Sequence, residues 1–85
     1  MTKAIFQVED VFQIPGKGVF VIGVVKMGAV KKGLIADIKG IKTEISEILV
    51  EDKDVNEVKA EEKCALLLKG VSKDDLRGVT MVYFE

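Results

Sequence analysis

The chain contains no histidine, so the commonest general base and the commonest metal ligand among side chains are both missing. What remains that could do chemistry is one thiol (Cys64), two adjacent acid pairs (Glu61-Glu62 and Asp74-Asp75) and a glycine-framed lysine segment, G-A-V-K-K-G at 28–33. Cys64 lies in A-E-E-K-C-A-L-L-L, with no base in its neighbourhood, and reads as a buried thiol on a core strand. Being the only cysteine, it can form no internal disulfide. Asp74 and Asp75 are consecutive on what reads as one helical turn, so their side chains diverge. Such acids suit capping of free amides better than shared acid–base work. Glu61-Glu62 reads as a solvated turn. The G-x-x-x-x-G frame at 28–33 is followed by Leu34 and Ile35, where a phosphate-binding loop needs Lys-Ser/Thr and then a helix. It is therefore expected to be a β-turn that binds no nucleotide. Catalytic, metal and cofactor sites are accordingly not expected.

The elements that would position any functional residue are strands. Val19 to Val25 is a β-branched and aromatic run interrupted only by Gly23, preceded by the turn residues Pro15, Gly16 and Gly18. Gly28 and Gly33 are expected to close this central strand. Ala4 to Phe12 alternates until Val11 and Phe12 break the pattern after Asp10, which predicts a bulge or bend there. Further strands are expected over Leu34–Lys39, Thr43–Glu51, Cys64–Lys69 and Val79–Phe84, with Ile45 and either Ile48 or Val50 in the core. Residues 52–57 read as a polar loop. A single helical turn is expected near Ser72–Leu76, ending at Gly78.

Five segments in order carry a family resemblance: V-E-D-V-F at 8–12, G-K-G at 16–18, V-x-x-G at 30–33, L-L-L-K-G-V at 66–71 and K-D-D-L-R-G at 73–78. With them the chain resembles the second domain of elongation factor Tu and related translational GTPases, over about Phe6 to Met81. The resemblance implies an all-β, six- or seven-stranded, mainly antiparallel Greek-key barrel that is not itself catalytic. In that family the barrel holds the aminoacylated end of tRNA. Glu9, Glu47 and Leu67 match positions near that end, and Lys17 and Lys69 match basic positions near RNA. Ile22 and Lys63 stand where the family has polar Thr and Asn, a departure from that tRNA-binding pattern.

Eighty-five residues form one domain over 1–85, too short to hold a GTPase domain as well. The net charge of −1 gives no bulk attraction to nucleic acid or membrane. There is no apolar run of membrane-spanning length and no signal-like N-terminus, so a cytoplasmic location is expected. The basic residues are lysine almost throughout, with Arg77 the only arginine, and Asn and Gln are scarce, a composition that leans toward thermophily.

Two functions fit this reading. One is a binding module for RNA or a ribonucleoprotein of translation, with Lys17, Lys31 and Lys69 as RNA contacts. The other is a protein–protein or self-associating module without RNA. In either case Phe20, Ile22, Val24 and Leu67 are expected to form an outward apolar patch. Alternate strand residues face opposite sides and a small barrel has only one interior, so one of the two sets of the central strand must face out, and the resemblance places Phe20, Ile22 and Val24 outward beside Leu67. The patch is expected to be covered by another chain, a partner or a second copy. The rival expectation is that Val82–Phe84 or the 52–62 segment folds over it.

Overall fold

The computed structural model describes residues 1–85. It contains eight strands: β1 (Ala4–Ile14), β2 (Gly18–Lys31), β3 (Ile35–Ile38), β4 (Ile41–Val50), β5 (Lys53–Asp54), β6 (Glu57–Lys59), β7 (Lys63–Lys69) and β8 (Met81–Phe84). The only helix is a 3-10 turn at Asp74–Leu76. Six strands close in the order β1-β8-β3-β4-β7-β2 and back to β1, every pairing antiparallel. The ring closes between β3 and β8 at Ala36 and Phe84, where the Glu85 amide donates to the Ile35 carbonyl at 2.7 Å. The expected all-β antiparallel barrel is thus present, with two short strands added: β5 on β4 and β6 on β2.

The β1–β2 hairpin turns through Pro15, Gly16 and Lys17, and Gly16 takes φ 78°. Beyond it the two strands run together for ten pairs. Along β2, Val19, Val21 and Val25 face inward and are fully buried. They meet Phe6, Phe84, Ile45, Ile48, Leu66 and Leu68 in one core. Gly23 belongs to the same inward set by alternation, and β1 crosses it too closely for a side chain. A Cβ there would stand 1.8 Å from the Gln7 carbonyl oxygen.

Several expectations need correction. The central strand does not end at Gly28. It kinks there (φ 69°) beneath the Lys3 carbonyl and continues to Lys31, so only residues 32 and 33 turn. The continuation pairs with β6, and the partners Val30 and Val58 are buried at that end of the barrel. The 52–57 segment is not a loop throughout. Glu51 and Asp52, at φ 52° and 66°, form a tight turn into β5, and Glu57 opens β6. The β1 bulge falls at Glu9, between Val8 and Asp10, slightly earlier than expected. A second bulge in β4, at Ser46, separates Ile45 from Glu47. It lets Ile45 and Ile48 both point inward although they are three apart, and Val50 is only half-buried.

At the hairpin end of the barrel, Val71 and Leu76 are carried into the core from the segment between β7 and β8. Asp75 holds this turn by accepting from the Ser72 amide at 2.8 Å, so one of the two acids caps as expected. Val82 and Phe84 point into the core, and of the 52–62 segment Asp52 and Glu62 stand beside Ile22.

Candidate functional site

Up to Val25, after which a bulge at Lys26 reverses the parity, the even-numbered residues of β2 face outward. Phe20, Ile22 and Val24 are each half-buried, alternating with the buried valines. Cross-strand register extends them into rows across four strands, since directly opposed residues share a face. Phe12 on β1, Phe20 on β2, Leu67 on β7 and Glu47 on β4 form one row. Asp10, Ile22, Ala65 and Leu49 form the next, followed by Gln7, Val24 and Lys63. The result is an apolar surface spanning β1, β2, β7 and β4, with charged residues at its margins.

Leu67 belongs to this face by register but does not present itself to solvent. It is 1% exposed, yet it lies outside the interior core, wedged between its neighbours Phe20 and Glu47. It is the floor of the patch. Phe12, 48% exposed beside Phe20, is a residue that the sequence reading did not include. A signal for it existed: a three-residue turn at Pro15–Lys17 pairs position 14 with 18, and therefore 12 with 20.

The two family-matched acids reach this face by the same device. Each sits at a β-bulge, where the extra residue re-aims a side chain. Glu9 leaves β1 at its bulge and meets Lys63 Nζ at 3.3 Å. Glu47 leaves β4 beside the Ser46 bulge and meets Lys17 Nζ at 3.4 Å. Ser46 steadies that bulge by donating to the Leu67 carbonyl at 3.2 Å. Both ion pairs are substantially exposed, so each adds at most about 1 kcal/mol. Their effect is positional: they frame the apolar rows from two sides. Next to Ile22 the face sinks into an open depression of about 510 Å³, floored by Leu49, Val50 and Ala65, with Glu51, Asp52 and Glu62 at its mouth.

The three lysines chosen as RNA contacts do not converge. Lys17 and Lys69 are at the hairpin end of the barrel, because β2 and β7 pair from Val19 and Leu68 onward. Lys31 is the last residue of β2, at the other end, and faces Glu57 at 3.8 Å. Lys69 has no carboxylate within ion-pair distance.

Cys64 is buried on β7 opposite Gly23. Burial, with the Glu62 charge assisting, pushes its thiol up to about 12, which leaves it neutral and unreactive at ordinary pH. No three side chains among the Cys, Asp and Glu residues converge in an arrangement that could hold a metal ion. No helix is long and apolar enough to cross a membrane.

No protein-family model matches the chain. Among solved structures, the apo form of translation elongation factor SelB from Methanococcus maripaludis superposes with a TM-score of 0.84 at 22% identity, over 94% of this chain and 18% of that one. The fold is that of a translation-factor barrel. A bacterial selenocysteine-specific elongation factor, EF-Sec, matches with a TM-score of 0.82 at 20% identity, over 96% of this chain and 14% of that one. The chain therefore spans less than a fifth of the length of either neighbour.

Proposed function

We propose that this barrel is a non-catalytic binding module of translation, docking a ribonucleoprotein or other translation-related partner on the outer face of β2 and β7. The observation that carries this reading is the outward row Phe20, Ile22 and Val24. It is half-buried on a strand whose alternate residues fill the core, opens beside Ile22 into the depression, and is framed by the two bulge-borne acid–lysine pairs. A barrel exterior ordinarily alternates to polar residues, and a contiguous apolar surface rimmed by charge is a common form of interaction site. The likeness of fold to elongation factors supports a partner from the same process.

A second reading, a protein–protein module with no RNA contact, is favoured by the charge layout. Lys17 and Lys31 lie at opposite ends of β2 and each faces a carboxylate, whereas phosphate binding works through clustered free cations. Co-sedimentation of the purified chain with ribosomal subunits, beside filter binding with tRNA, tests both. The first reading expects saturable binding to at least one of them, lost in Phe20→Ser/Ile22→Thr. Absence of binding to all of these would reject it and leave the protein–protein reading.

A further inference from the structure

We infer, resting on the docking face proposed above, that what occupies it is a basic protein segment, which lays a lysine or arginine into the depression next to Ile22 and an apolar neighbour onto Phe20. The depression has an aliphatic floor of Ile22, Leu49, Val50 and Ala65, and Glu51, Asp52 and Glu62 stand at its mouth. Its volume of about 510 Å³ falls within the roughly 300–1,000 Å³ of ordinary ligand sites, which suits one or two long side chains. An apolar floor under anions complements a side chain with a hydrocarbon stem and a cationic head. Lysine and arginine bury the stem along apolar surface and keep the head at the polar edge. Beyond the depression, Phe20 and the exposed Phe12 continue the apolar surface and receive the neighbour of the cation.

The carboxylates at the mouth are free to meet such a head. None of the three has a lysine or arginine within ion-pair distance. Lys63, the only cation lining the depression, is held by Glu9 at 3.3 Å. Glu62 accepts one hydrogen bond, from the Lys59 amide at 3.3 Å, and the side chains of Glu51 and Asp52 accept none. Nor does their turn select them. Val50 pairs with Lys53 across it, and a two-residue hairpin turn with positive φ at both positions favours Asn and Gly. Asp10, in the row of Ile22 and Ala65, adds an acid outside any ion pair on the far side. The acids do not converge closely enough to hold a metal ion. The same charges disfavour RNA as the occupant. Phosphates are bound by clustered free cations, and the lysines that border this face, Lys17 and Lys63, are each matched by a carboxylate.

Fluorescence anisotropy with dye-labelled probes tests this: a capped octapeptide repeating Leu-Leu-Lys-Lys, versions with glutamate for lysine or glycine for leucine, and a uridine oligonucleotide. The wild type is expected to bind the leucine–lysine peptide saturably, and neither the glutamate version nor the oligonucleotide. The glycine–lysine version should bind about tenfold more weakly, because the apolar neighbour contributes. Glu51→Asn/Asp52→Asn should weaken the leucine–lysine peptide by about tenfold, for two exposed charges removed, and adding Glu62→Gln should weaken it further. Asn suits that turn, so the urea midpoint of these variants should not fall. Phe20→Ser/Ile22→Thr should abolish binding. A wild type that ignores the leucine–lysine peptide overturns the inference, and so does one that binds the glycine–lysine version equally well or prefers the oligonucleotide. Peptide binding lost in Phe20→Ser/Ile22→Thr but unchanged in the charge variants rejects the cationic occupant and keeps the docking face. Ribosomal-subunit binding lost in Phe20→Ser/Ile22→Thr, with no peptide bound, likewise rejects this occupant and keeps the proposed function.

Discussion

Adding one methyl group at Gly23 should cripple this fold. The Cβ of Gly23→Ala would stand 1.8 Å from the Gln7 carbonyl oxygen, 2.9 Å from its carbon and 3.1 Å from Cε2 of Phe6. The obstacle is backbone, so no side-chain rotation relieves it. β1 would have to withdraw by roughly 1.5 Å to restore ordinary contact, and β1 is held there by the longest pairing in the barrel. Overpacking a core alone costs about 1–3 kcal/mol. Each ladder hydrogen bond opened adds about 1 kcal/mol, more where a buried group is left unpaired. The expected loss is therefore at least about 3 kcal/mol, against a total stability of roughly 4–13 kcal/mol for a chain of this length. With a urea m-value of about 1 kcal/mol per molar, the midpoint should fall by some 3 M, or the chain should fail to fold. Gly16→Ala is the control. It carries the same unfavourable positive φ as other turn glycines but nothing lies within 4 Å of its added Cβ, so it should lose only about 1–2 kcal/mol. Urea titration of both variants decides the matter. A Gly23→Ala variant within about 1 kcal/mol of the wild type would refute the close crossing of β1 over β2.

Other outcomes follow from the same geometry. Leu67→Ala should cost about 2–4 kcal/mol in urea unfolding despite its outward direction, because it is enclosed by Phe20 and Glu47. Phe20→Ser/Ile22→Thr should leave a cooperative fold. Native Cys64 should resist thiol reagents at neutral pH and react once the chain is unfolded. Because the folded thiol keeps its proton up to about 12 while the unfolded one releases it near 9.0, stability should decline as pH rises through that interval. The decline should be smaller in Cys64→Ala. If RNA binds, Lys17→Ala and Lys69→Ala should each lower the salt dependence by about one unit of slope per lost phosphate contact, while Lys31→Ala, at the far end of β2, should not.

The two alternating sets of β2 were legible in the sequence because a continuous β-branched run has only two faces, and the family resemblance indicated which of them points outward. The motif V-E-D-V-F likewise announced a bulge. The bulge at Ser46 was not settled by the sequence, where either Ile48 or Val50 could accompany Ile45 in the core, and the slip is fixed by pairing with β7. The placement of Glu47 on the candidate face depends on that slip. β5 and β6 were missed because Lys53, Asp54, Glu57 and Lys59 have loop composition, and only the backbones of β4 and β2 make them strands. Gly28 read as a terminator, although its positive φ serves a kink under the Lys3 carbonyl. Leu67 was assigned to the correct face, but its enclosure depends on neighbours from two other strands.

The central claim is that partners dock on the outer face of β2 and β7. The most direct measurement is an NMR titration of the isotopically labelled chain with ribosomal subunits and with tRNA. The account predicts that amides and methyls of Phe12, Phe20, Ile22, Val24 and Ala65 shift or broaden on addition of the bound species, while those of Lys31 and Asp54 stay unchanged. Perturbation spread evenly over the barrel, or confined to strands other than β1, β2, β4 and β7, would contradict it.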